Sequence, residues 1–586
     1  MADPITAEVI RSKFEALLLE MRFVLFRSAF SALMRESRDC SFGICSADGD
    51  MPFQGAPNHL FMYSRAARRL LTKWPAQEVH DGDIFIGNDP HEIGISHSPD
   101  VMVLAPVLHE GALVGFCGSI AHKSDFGGAV PGSVYSGATE LYQEGLVLPL
   151  MKYQDRGRMV SQVEEVIRAN VRNPDLVLGD LGAQVGATLL GVGRVRALAA
   201  RYGAETLLAV ARELLEVSEK RLRPQISRWP GRTAEAEVVL DPPPNHDGPV
   251  HIRLRVTRDD GHLTFDFTES DPQVRSPVNV PTTALMHVCC TCLVGMTDPT
   301  IPHNEGVARA ITLKIKAGTV VCPTPPAPVG NTTRVRPRLA DVVLNALAAL
   351  KGERAVAQRG DCGSSAFGWR TGLVAGRRYI QYEIQNGAGT GATSWCDGVS
   401  GVNPYDYSHN GGSLDTRGLP DTPVEVLEAQ YPVRVRKFEL VPDSGGPGQF
   451  RGGASRRRLY EALAPADLNV RHAMGWVIPP QGMEGGLPGR SGRVVINVGT
   501  PAEVNLETWS HELQPGDTLS FESPGGGGFG NPFQREPQAV LRDVVEGFVS
   551  PEGAHTDYGV VVQAAGSSFV LDLPATRRLR SARRQP

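Results

Sequence analysis

The chain has 586 residues and a net charge of −5, and 41% of its residues are hydrophobic while 21% are charged. This balance is typical of a globular protein of about two to four domains. The negative charge gives no general attraction to nucleic acid or anionic lipid, and no segment approaches the roughly 18–20 uninterrupted apolar residues of a membrane span. We therefore expect neither nucleic acid nor a membrane as a partner.

Helical periodicity is clearest from Thr6 to about Met34, where apolar residues recur at i, i+3, i+4 and i+7 and Thr6 is a candidate N-cap. Further helices are predicted near residues 161–172, 181–201, 205–221 and 339–350. Strands are predicted at residues 83–89, 100–108, 112–122, 235–240, 250–258 and 262–270. From about residue 375 onward, short apolar alternations broken by Gly-rich turns predict a mostly antiparallel β region.

These elements predict an α+β fold with two internal boundaries, one near residues 228–232 and one between about 355 and 375. We expect an α/β N-terminal part that carries a metal site (residues 1–228) and a middle α+β domain (229–370). A β-rich, multi-layered domain (371–586) should follow. The 64 glycines and 44 prolines are spread along the chain as turn residues rather than collected into linkers.

Cysteine usage indicates a reduced protein. Nine cysteines are too few for a disulfide scaffold at this length. Cys289, Cys290 and Cys292 lack paired CxxC spacing and lie in an apolar run, which predicts buried thiols. Because the first ten residues also lack the basic and apolar regions of a signal peptide, we expect a cytoplasmic location.

Nucleotide-binding motifs are missing from the sequence. It has no GxxxxGK[ST] motif, and the Gly-rich segments 386–392 and 523–532 do not lie between a clear parallel strand and a helix. We interpret both segments as tight turns with close backbone approach. If the protein uses ATP, the nucleotide should bind to another chain.

A group of histidines and aspartates is concentrated in the N-terminal part. The motifs that contain them lie at the ends of predicted elements, where functional loops are commonly held on a rigid scaffold. Imidazole and carboxylate together suit Zn, Mn or Fe(II), whereas Asp in turns such as NDP and SPD is also a common structural residue. From the residues alone, a metal site and ordinary polar turns remain open alternatives for His59, His91, His97, His122, Asp39, Asp89, Asp100 and Asp125.

The order and spacing of several motifs resemble the hydantoinase B/acetone carboxylase alpha family. The resemblance covers nearly the whole chain, and the family includes B-type subunits of ATP-dependent hydantoinases and lactamases and the C-terminal half of 5-oxoprolinase. The motifs that carry it include MRESRDCSFGICSADGDM, GDIFIGNDPHEIGISHSPDVMVLAPV, AHKSDFGGAVPGS, YQEGLVLP, NVRNPDLVLGDLGAQVGA, NEGVARAITLKIKAGTVVCPTPPAPVGN and SPGGGGFGNPFQREPQAVLRDVVEGFVSPEGA.

The resemblance implies a two-component enzyme. An A-type subunit with the actin-like ATPase fold would bind ATP and phosphorylate an oxygen of the substrate, and the B-type chain would complete the reaction at a divalent transition metal (Zn or Mn, or Fe). Carried over from the family, the metal ligands would be Asp39, His97, His122 and Asp125.

Two departures from the family pattern bear on the reaction. The chain has IGISH where the family usually has a glycine pair before the first histidine. It has Val147 after the EG motif, where the carboxylase branch has a histidine. The second departure favours opening of a hydantoin- or lactam-type ring. Glu144 and His59, which lie near these motifs in the sequence, are the candidates for the proton-transfer residue. The alternatives are the alpha-type subunit of an ATP-dependent ketone carboxylase and a non-catalytic scaffold subunit.

Overall fold

The computed structural model describes residues 3–54, 59–361, 364–374, 376–384, 387–402, 420–471, 474–506 and 510–582. Its α-helices in chain order are α1 (Pro4–Ser28), α2 (Ala32–Arg35), α3 (Leu60–Lys73), α4 (Ser161–Asn170), α5 (Pro174–Tyr202), α6 (Ala204–Ser227), α7 (Thr282–Met296), α8 (Thr332–Lys351), α9 (Val424–Gln430), α10 (Pro537–Val545), α11 (Pro551–Tyr558) and α12 (Leu573–Ala582).

The strands of the first half are β1 (Cys40–Ser46), β2 (Phe53–Gln54), β3 (Ile84–Gly87), β4 (Asp100–His109), β5 (Ala112–His122), β6 (Met151–Asp155), β7 (Arg158–Met159), β8 (Thr233–Leu240), β9 (Val250–Asp259), β10 (His262–Asp266) and β11 (Ile311–Lys314). Those of the second half are β12 (Ser364–Val374), β13 (Arg377–Ile384), β14 (Val433–Leu440), β15 (Arg456–Ala462), β16 (Ala466–Arg471), β17 (Arg493–Ile496), β18 (Val504–Asn505), β19 (Ser510–Leu513), β20 (Thr518–Glu522), β21 (Val562–Ala565) and β22 (Ser568–Leu571). The predicted α+β class is confirmed.

The N-terminal part is built on a seven-stranded antiparallel sheet in the order β2-β1-β5-β4-β3-β6-β7. Both faces of this sheet are buried. Along β4, Val101 and Val103 belong to a core shared with α1 and α5, whereas Met102 and Leu104 belong to a core shared with α3 and α7. Because successive side chains point to opposite faces, a strand covered on both sides becomes a continuous apolar run. This explains why the sequence predicts β4 and β5.

The predicted helix from Thr6 to Met34 is divided in two. Its N-cap is Asp3 rather than Thr6, because the Asp3 carboxylate accepts hydrogen bonds from the backbone N–H and the hydroxyl of Thr6. The chain leaves the helical conformation after Ser28, where the buried Asp180 carboxylate accepts the backbone N–H groups of Phe30 and Ser31. A carboxylate 150 residues away in sequence thus interrupts a pattern that looks continuous locally.

Helix α5 has the length and apolar composition of a membrane-spanning helix, and half of its most apolar window is buried inside the protein. It packs across β4 and β5, and α1 packs against it. Packing in the core therefore accounts for its apolar composition.

The middle of the chain forms a four-stranded sheet in the order β11-β10-β9-β8, which packs against α8. Helix α7 is buried almost completely and carries Cys289, Cys290 and Cys292, so the prediction of buried thiols is confirmed. The hydrophobic core is continuous from Phe116 in the first sheet to Phe265 in the second. The domain boundaries after residues 228 and 370 stay predictions.

The C-terminal part contains sheets in the orders β13-β12-β16-β19 and β14-β15-β20-β17-β18, together with a bundle of extended glycine-rich segments. Segment 523–530 lies among segments 357–360, 389–392, 444–453 and 480–489, and backbone hydrogen bonds join them. For example, Gly526 donates to the Gly453 carbonyl and Gly527 donates to the Gln358 carbonyl, each at 2.8–2.9 Å.

The close backbone approach that we predicted for these Gly-rich segments is present. They are, however, packed extended segments rather than isolated turns. An added Cβ atom would lie 1.7 Å from the Ser444 carbonyl oxygen at Gly525 and 1.8 Å from that of Thr390 at Gly526. Only glycine therefore fits at these two positions.

Candidate metal centre

One edge of the N-terminal sheet collects acidic and histidine side chains. Strand β4 begins at Asp100, β5 ends at His122, and the two residues are directly opposite each other in the antiparallel pairing. Strand β1 begins one residue after Asp39, whose carbonyl accepts the backbone N–H of His122 at 3.1 Å. His97 lies in the turn before β4, where its carbonyl accepts the N–H of Asp100. Antiparallel register therefore brings three separate sequence motifs together.

Three of these side chains form a tight, buried cluster. His97 Nε2 lies 3.0 Å from His122 Nδ1 and 3.1 Å from Asp100 Oδ2, and His122 Nδ1 lies 3.1 Å from Asp100 Oδ1. Asp39 is more peripheral, since its Oδ2 lies 4.0 Å from His122 Nδ1 and its side chain is 20% exposed. Among the residues that the structure describes, His97, Asp100 and His122 form a group that could hold a metal ion.

The charge states of these groups suit metal ligands. Burial lowers the pKa of His97 to about 4, with Asp100 opposing this, so the imidazole is neutral at pH 7. Burial would raise the pKa of Asp100, but interactions with His97 and His122 outweigh it and hold that pKa well below its usual range. Burial raises the pKa of Asp39 to about 6, while His122 opposes the shift. Neutral imidazole and ionised carboxylate are the forms that bind a metal.

The donor spacing fits a divalent transition metal. Ligand atoms at about 2.1 Å from a metal, with angles of about 90–109° between them, lie roughly 3.0–3.4 Å apart. The cluster distances of 3.0–3.1 Å fall in this range. Two imidazoles and one carboxylate suit Zn, Mn or Fe(II) rather than Mg or Ca. Nε2 of His122 is buried without a hydrogen-bond partner among the described residues.

A second layer of contacts orients His97. Its Nδ1–H donates to the Gly330 carbonyl at 3.3 Å, which leaves the Nε2 lone pair directed into the cluster. Nη2 of Arg471 donates to the same carbonyl at 2.7 Å. Gly330 is held in turn by the buried Glu144, whose carboxyl oxygens accept the N–H groups of Val329 and Gly330 at 2.9 and 2.6 Å.

Glu144, a predicted proton-transfer residue, therefore supports the loop before α8 in this structure. Burial raises the pKa of its carboxyl to about 8, although the two backbone N–H groups oppose the shift. Because the pKa is higher in the folded state, folding favours the protonated form of Glu144. Its contribution to the free energy of unfolding is complete below the ordinary pKa near 4.5 and is lost as the pH rises through 8.

This gives a pH-dependent prediction for Glu144→Gln, which removes the titrating group. The free energy of unfolding of the wild-type chain should fall relative to that of the variant between about pH 5 and 8, by up to roughly 1.4 kcal/mol per pH unit. Urea unfolding of both proteins at four pH values measures this difference. A difference that is constant with pH would show that Glu144 does not titrate in this range.

His59, the other predicted proton-transfer residue, lies beside the cluster. Its Nε2 is 3.7 Å from Asp100 Oδ2, and its Nδ1 is hydrogen-bonded to the Ser41 hydroxyl at 2.7 Å. The Ser41 hydroxyl also bonds to the Tyr63 hydroxyl at 2.8 Å. Burial lowers the pKa of His59 to about 4, so this side chain is a neutral imidazole at pH 7.

Asp125, a predicted ligand, is placed differently. Its carboxylate oxygens accept the backbone N–H groups of Gly127, Gly132 and Arg172 and form a 2.9 Å ion pair with the Arg172 guanidinium. The structure does not bring Asp125 into the described cluster with His97, Asp100 and His122. These contacts give Asp125 a role in fixing the loop after β5.

Asp100, rather than Asp125, is the carboxylate that lies with His97 and His122, and the assignment of Asp125 as a metal ligand stays a prediction. Asp100 was one of the acids noted in the N-terminal motifs, but it was not among the ligands that the family resemblance implied. Its position at the start of β4, opposite the end of β5, is the signal that could have found it. His91 lies outside the cluster, and its Nε2 bonds to the Ala327 carbonyl at 3.1 Å.

The comparisons with known proteins agree with this architecture. The family Hydantoinase B/oxoprolinase matches residues 3–532. A protein of Pseudomonas sp. (strain NS671) that is named as the B-type component of a D-/L-hydantoinase is 31% identical over 99% of this chain and 98% of its own length. The beta subunit of caprolactamase from Pseudomonas jessenii is 29% identical over 99% of both chains.

Two solved structures have the same fold. The crystal structure of the ATP-dependent caprolactamase from Pseudomonas jessenii superimposes with a TM-score of 0.88, at 28% identity, over 99% of this chain and all of the matched chain. Nucleotide-free acetone carboxylase gives a TM-score of 0.89 at 20% identity, over 99% of this chain and 83% of the matched chain, and this similarity concerns the fold. The chain that carries this cluster therefore belongs to the hydantoinase B/oxoprolinase family.

Proposed function

We propose that this chain is the metal-dependent B-type subunit of an ATP-dependent cyclic amidohydrolase. It would open a hydantoin- or lactam-type ring after an A-type, actin-like ATPase subunit has phosphorylated the ring's amide oxygen. The observation that carries the proposal is the buried cluster of His97, Asp100 and His122, with donor spacing that suits a divalent metal. The relatives named as B-type or beta components support the two-component arrangement.

The chemistry divides between the two subunits. Phosphorylation removes the amide resonance that protects the ring and provides a leaving group. A divalent metal held by His97, Asp100 and His122, with Asp39 nearby, would supply Lewis acidity and would lower the pKa of water toward about 7. Addition of one water to the activated carbon and cleavage of the ring C–N bond, with a proton passing to the nitrogen, would give an acyl phosphate. A second water would hydrolyse this to the open-chain acid and inorganic phosphate.

The chain's own residues would orient and move protons. The Gly330 carbonyl accepts the Nδ1–H of His97, and the Glu144 carboxyl accepts the backbone N–H of Gly330. These two hydrogen bonds would keep the Nε2 lone pair of His97 directed into the cluster. His59 is a neutral imidazole anchored by Ser41, with Nε2 3.7 Å from Asp100, and it would accept a proton from attacking water. We place the protein in the cytoplasm, a reducing compartment that suits the free thiols of the cysteines that the structure describes.

A reconstitution experiment tests the proposal. The purified chain is combined with the A-type subunit of the same organism, ATP, a divalent metal and a panel of hydantoins and lactams. We expect ring opening coupled to ATP hydrolysis only when both subunits are present, with loss of ring opening in His97→Ala. Bicarbonate-dependent turnover of ketones, without turnover of cyclic amides, would instead identify a carboxylase subunit. A chain that binds no stoichiometric metal would be a scaffold.

A further inference from the structure

Two buried guanidinium groups border the metal cluster. Arg336 on α8 and Arg471 at the end of β16 are 3% and 4% exposed. Nη2 of Arg336 donates to the hydroxyl of Ser96, the residue before His97. Nη2 of Arg471 lies 3.5 Å from Nδ1 of His97 and donates to Gly330. Arg471 therefore contacts a residue of the cluster directly, and Arg336 contacts the residue next to one.

Neither arginine has a carboxylate partner within 4.0 Å in the described part of the chain. Arg471 donates to neutral groups, namely the Tyr382 and Thr333 hydroxyls and the carbonyl of Gly330. The other buried arginines of the described residues are ion-paired with Asp or Glu: Arg334, Arg338, Arg359, Arg451, Arg458 and Arg535. An unpaired buried charge is costly, so the protein normally supplies a partner. The two exceptions are both next to the cluster.

Hydrogen-bond donors also remain unused at this place. Nε of Arg336 and Nδ2 of Asn331 are buried without a partner among the described residues. Asn331 is fully buried at the N-terminus of the 20-residue helix α8, and its Oδ1 accepts from Nε of Arg471 at 3.4 Å. Buried N–H groups, guanidinium groups and a helix N-terminus are the groups that bind phosphoryl oxygens.

The charge balance of the site indicates the class of ligand. Asp39 and Asp100, the two carboxylates nearest to His122, would balance the charge of a divalent metal. Arg336 and Arg471 then leave an excess of about two positive charges in a buried site. A dianionic group would neutralise this excess and accept the unused hydrogen bonds.

We infer that Arg336, Arg471 and Asn331 form a binding site for a phosphoryl dianion beside the metal cluster. This inference rests on the proposed function and extends it. The site would hold the phosphoryl group of the activated substrate during ring opening and the inorganic phosphate that is released. The metal would act at the activated carbon while the arginines bind the phosphoryl group on its oxygen, and a substrate that has not been phosphorylated would lack this contact.

Calorimetric titration of inorganic phosphate into the metal-loaded chain, without the partner subunit, tests the site directly. We expect one phosphate per chain, with Kd raised at least tenfold in Arg336→Gln and in Arg471→Gln. Arg336→Lys keeps the charge and should bind more tightly than Arg336→Gln. The control Arg457→Gln removes an arginine that pairs with Glu439 and Glu522, and it should bind phosphate as the wild type does. Thermal unfolding of each variant verifies that it is folded.

Turnover in the reconstituted enzyme distinguishes the phosphorylated substrate from free phosphate as the physiological ligand. If the site serves the intermediate, Arg471→Gln should lower ring opening per ATP hydrolysed. If it serves only the product, phosphate inhibition alone should weaken. Phosphate binding that the arginine variants do not change would overturn the inference even if cyclic amides are turned over. Arginine-dependent phosphate binding without any turnover of cyclic amides would leave the site intact and refute the proposed function.

Discussion

His122→Ala is expected to lose stoichiometric metal binding and, with it, ring opening in the reconstituted enzyme. His122 supplies the Nδ1 atom that lies 3.0 Å from His97 Nε2 and 3.1 Å from Asp100 Oδ1, so its removal leaves two of the three clustered donors. Loss of an outer-shell partner typically costs about 10–100-fold in metal affinity, and loss of a direct ligand should cost more than this. Elemental analysis after dialysis against zinc or manganese measures the metal content.

The control for this variant is His555→Ala, which replaces an exposed histidine on α11 and should retain the metal. Asp125→Asn provides a sharper contrast. Its carboxylate is engaged by Arg172 and by three backbone N–H groups, so the change should lower the free energy of unfolding by about 2–4 kcal/mol and leave the metal content unchanged. If Asp125→Asn loses the metal, the ligand set that the family resemblance implies is correct. If His122→Ala retains it, the cluster is not a metal site.

The elements that could be predicted from the sequence are those whose local pattern also determines their packing. Strands β4 and β5 are apolar because both faces of the sheet are covered, and α6 has a regular apolar period. Helix α7 was not predicted, because it is buried on all sides and its apolar run has no period that separates helix from strand. The start of α8 was also missed, since its first turns carry the polar residues of the candidate site.

The candidate site was only partly predictable for a similar reason. His97 and His122 were expected ligands, and they do lie together. The choice between Asp100 and Asp125 depends on strand register and on Arg172, which lies 47 residues beyond Asp125. Arg471 and Gly330 reach His97 from positions 374 and 233 residues away. Such contacts are set by tertiary packing and leave no local pattern in the sequence.

Packing also ties the metal centre to the glycine-rich bundle. Arg334, two residues before Arg336 on α8, pairs with the buried Asp361 at 3.4 Å, which in turn accepts the backbone N–H of Met474. Asp361 directly follows segment 357–360 of the bundle, and the Gly360 N–H donates to the Gly389 carbonyl. The position of α8 relative to the sheet edge therefore depends on how closely the bundle packs.

Gly526→Ala is accordingly expected to have the largest effect on stability of any single change considered for this chain. The new Cβ atom would lie 1.8 Å from the Thr390 carbonyl oxygen and 2.3 Å from its carbon, and both are backbone atoms in the centre of the bundle. Overpacking by side chains usually costs about 1–3 kcal/mol because side chains adjust. Here hydrogen-bonded backbone must separate, and we expect a loss of at least about 4 kcal/mol.

The measurement is soluble yield together with the midpoint of thermal unfolding, which should fall by about 3 °C or more for a chain of 586 residues if the variant is soluble at all. Gly193→Ala is the matched control. Gly193 lies exposed in the interior of α5, and an added Cβ atom there meets nothing within 4 Å. Because Ala is favoured over Gly in a helix by about 1 kcal/mol, this control should unfold at the same temperature as the wild type or slightly above it. If Gly526→Ala were as stable as this control, segment 523–530 could not be packed as tightly as the structure has it, and the bundle could not fix the position of α8.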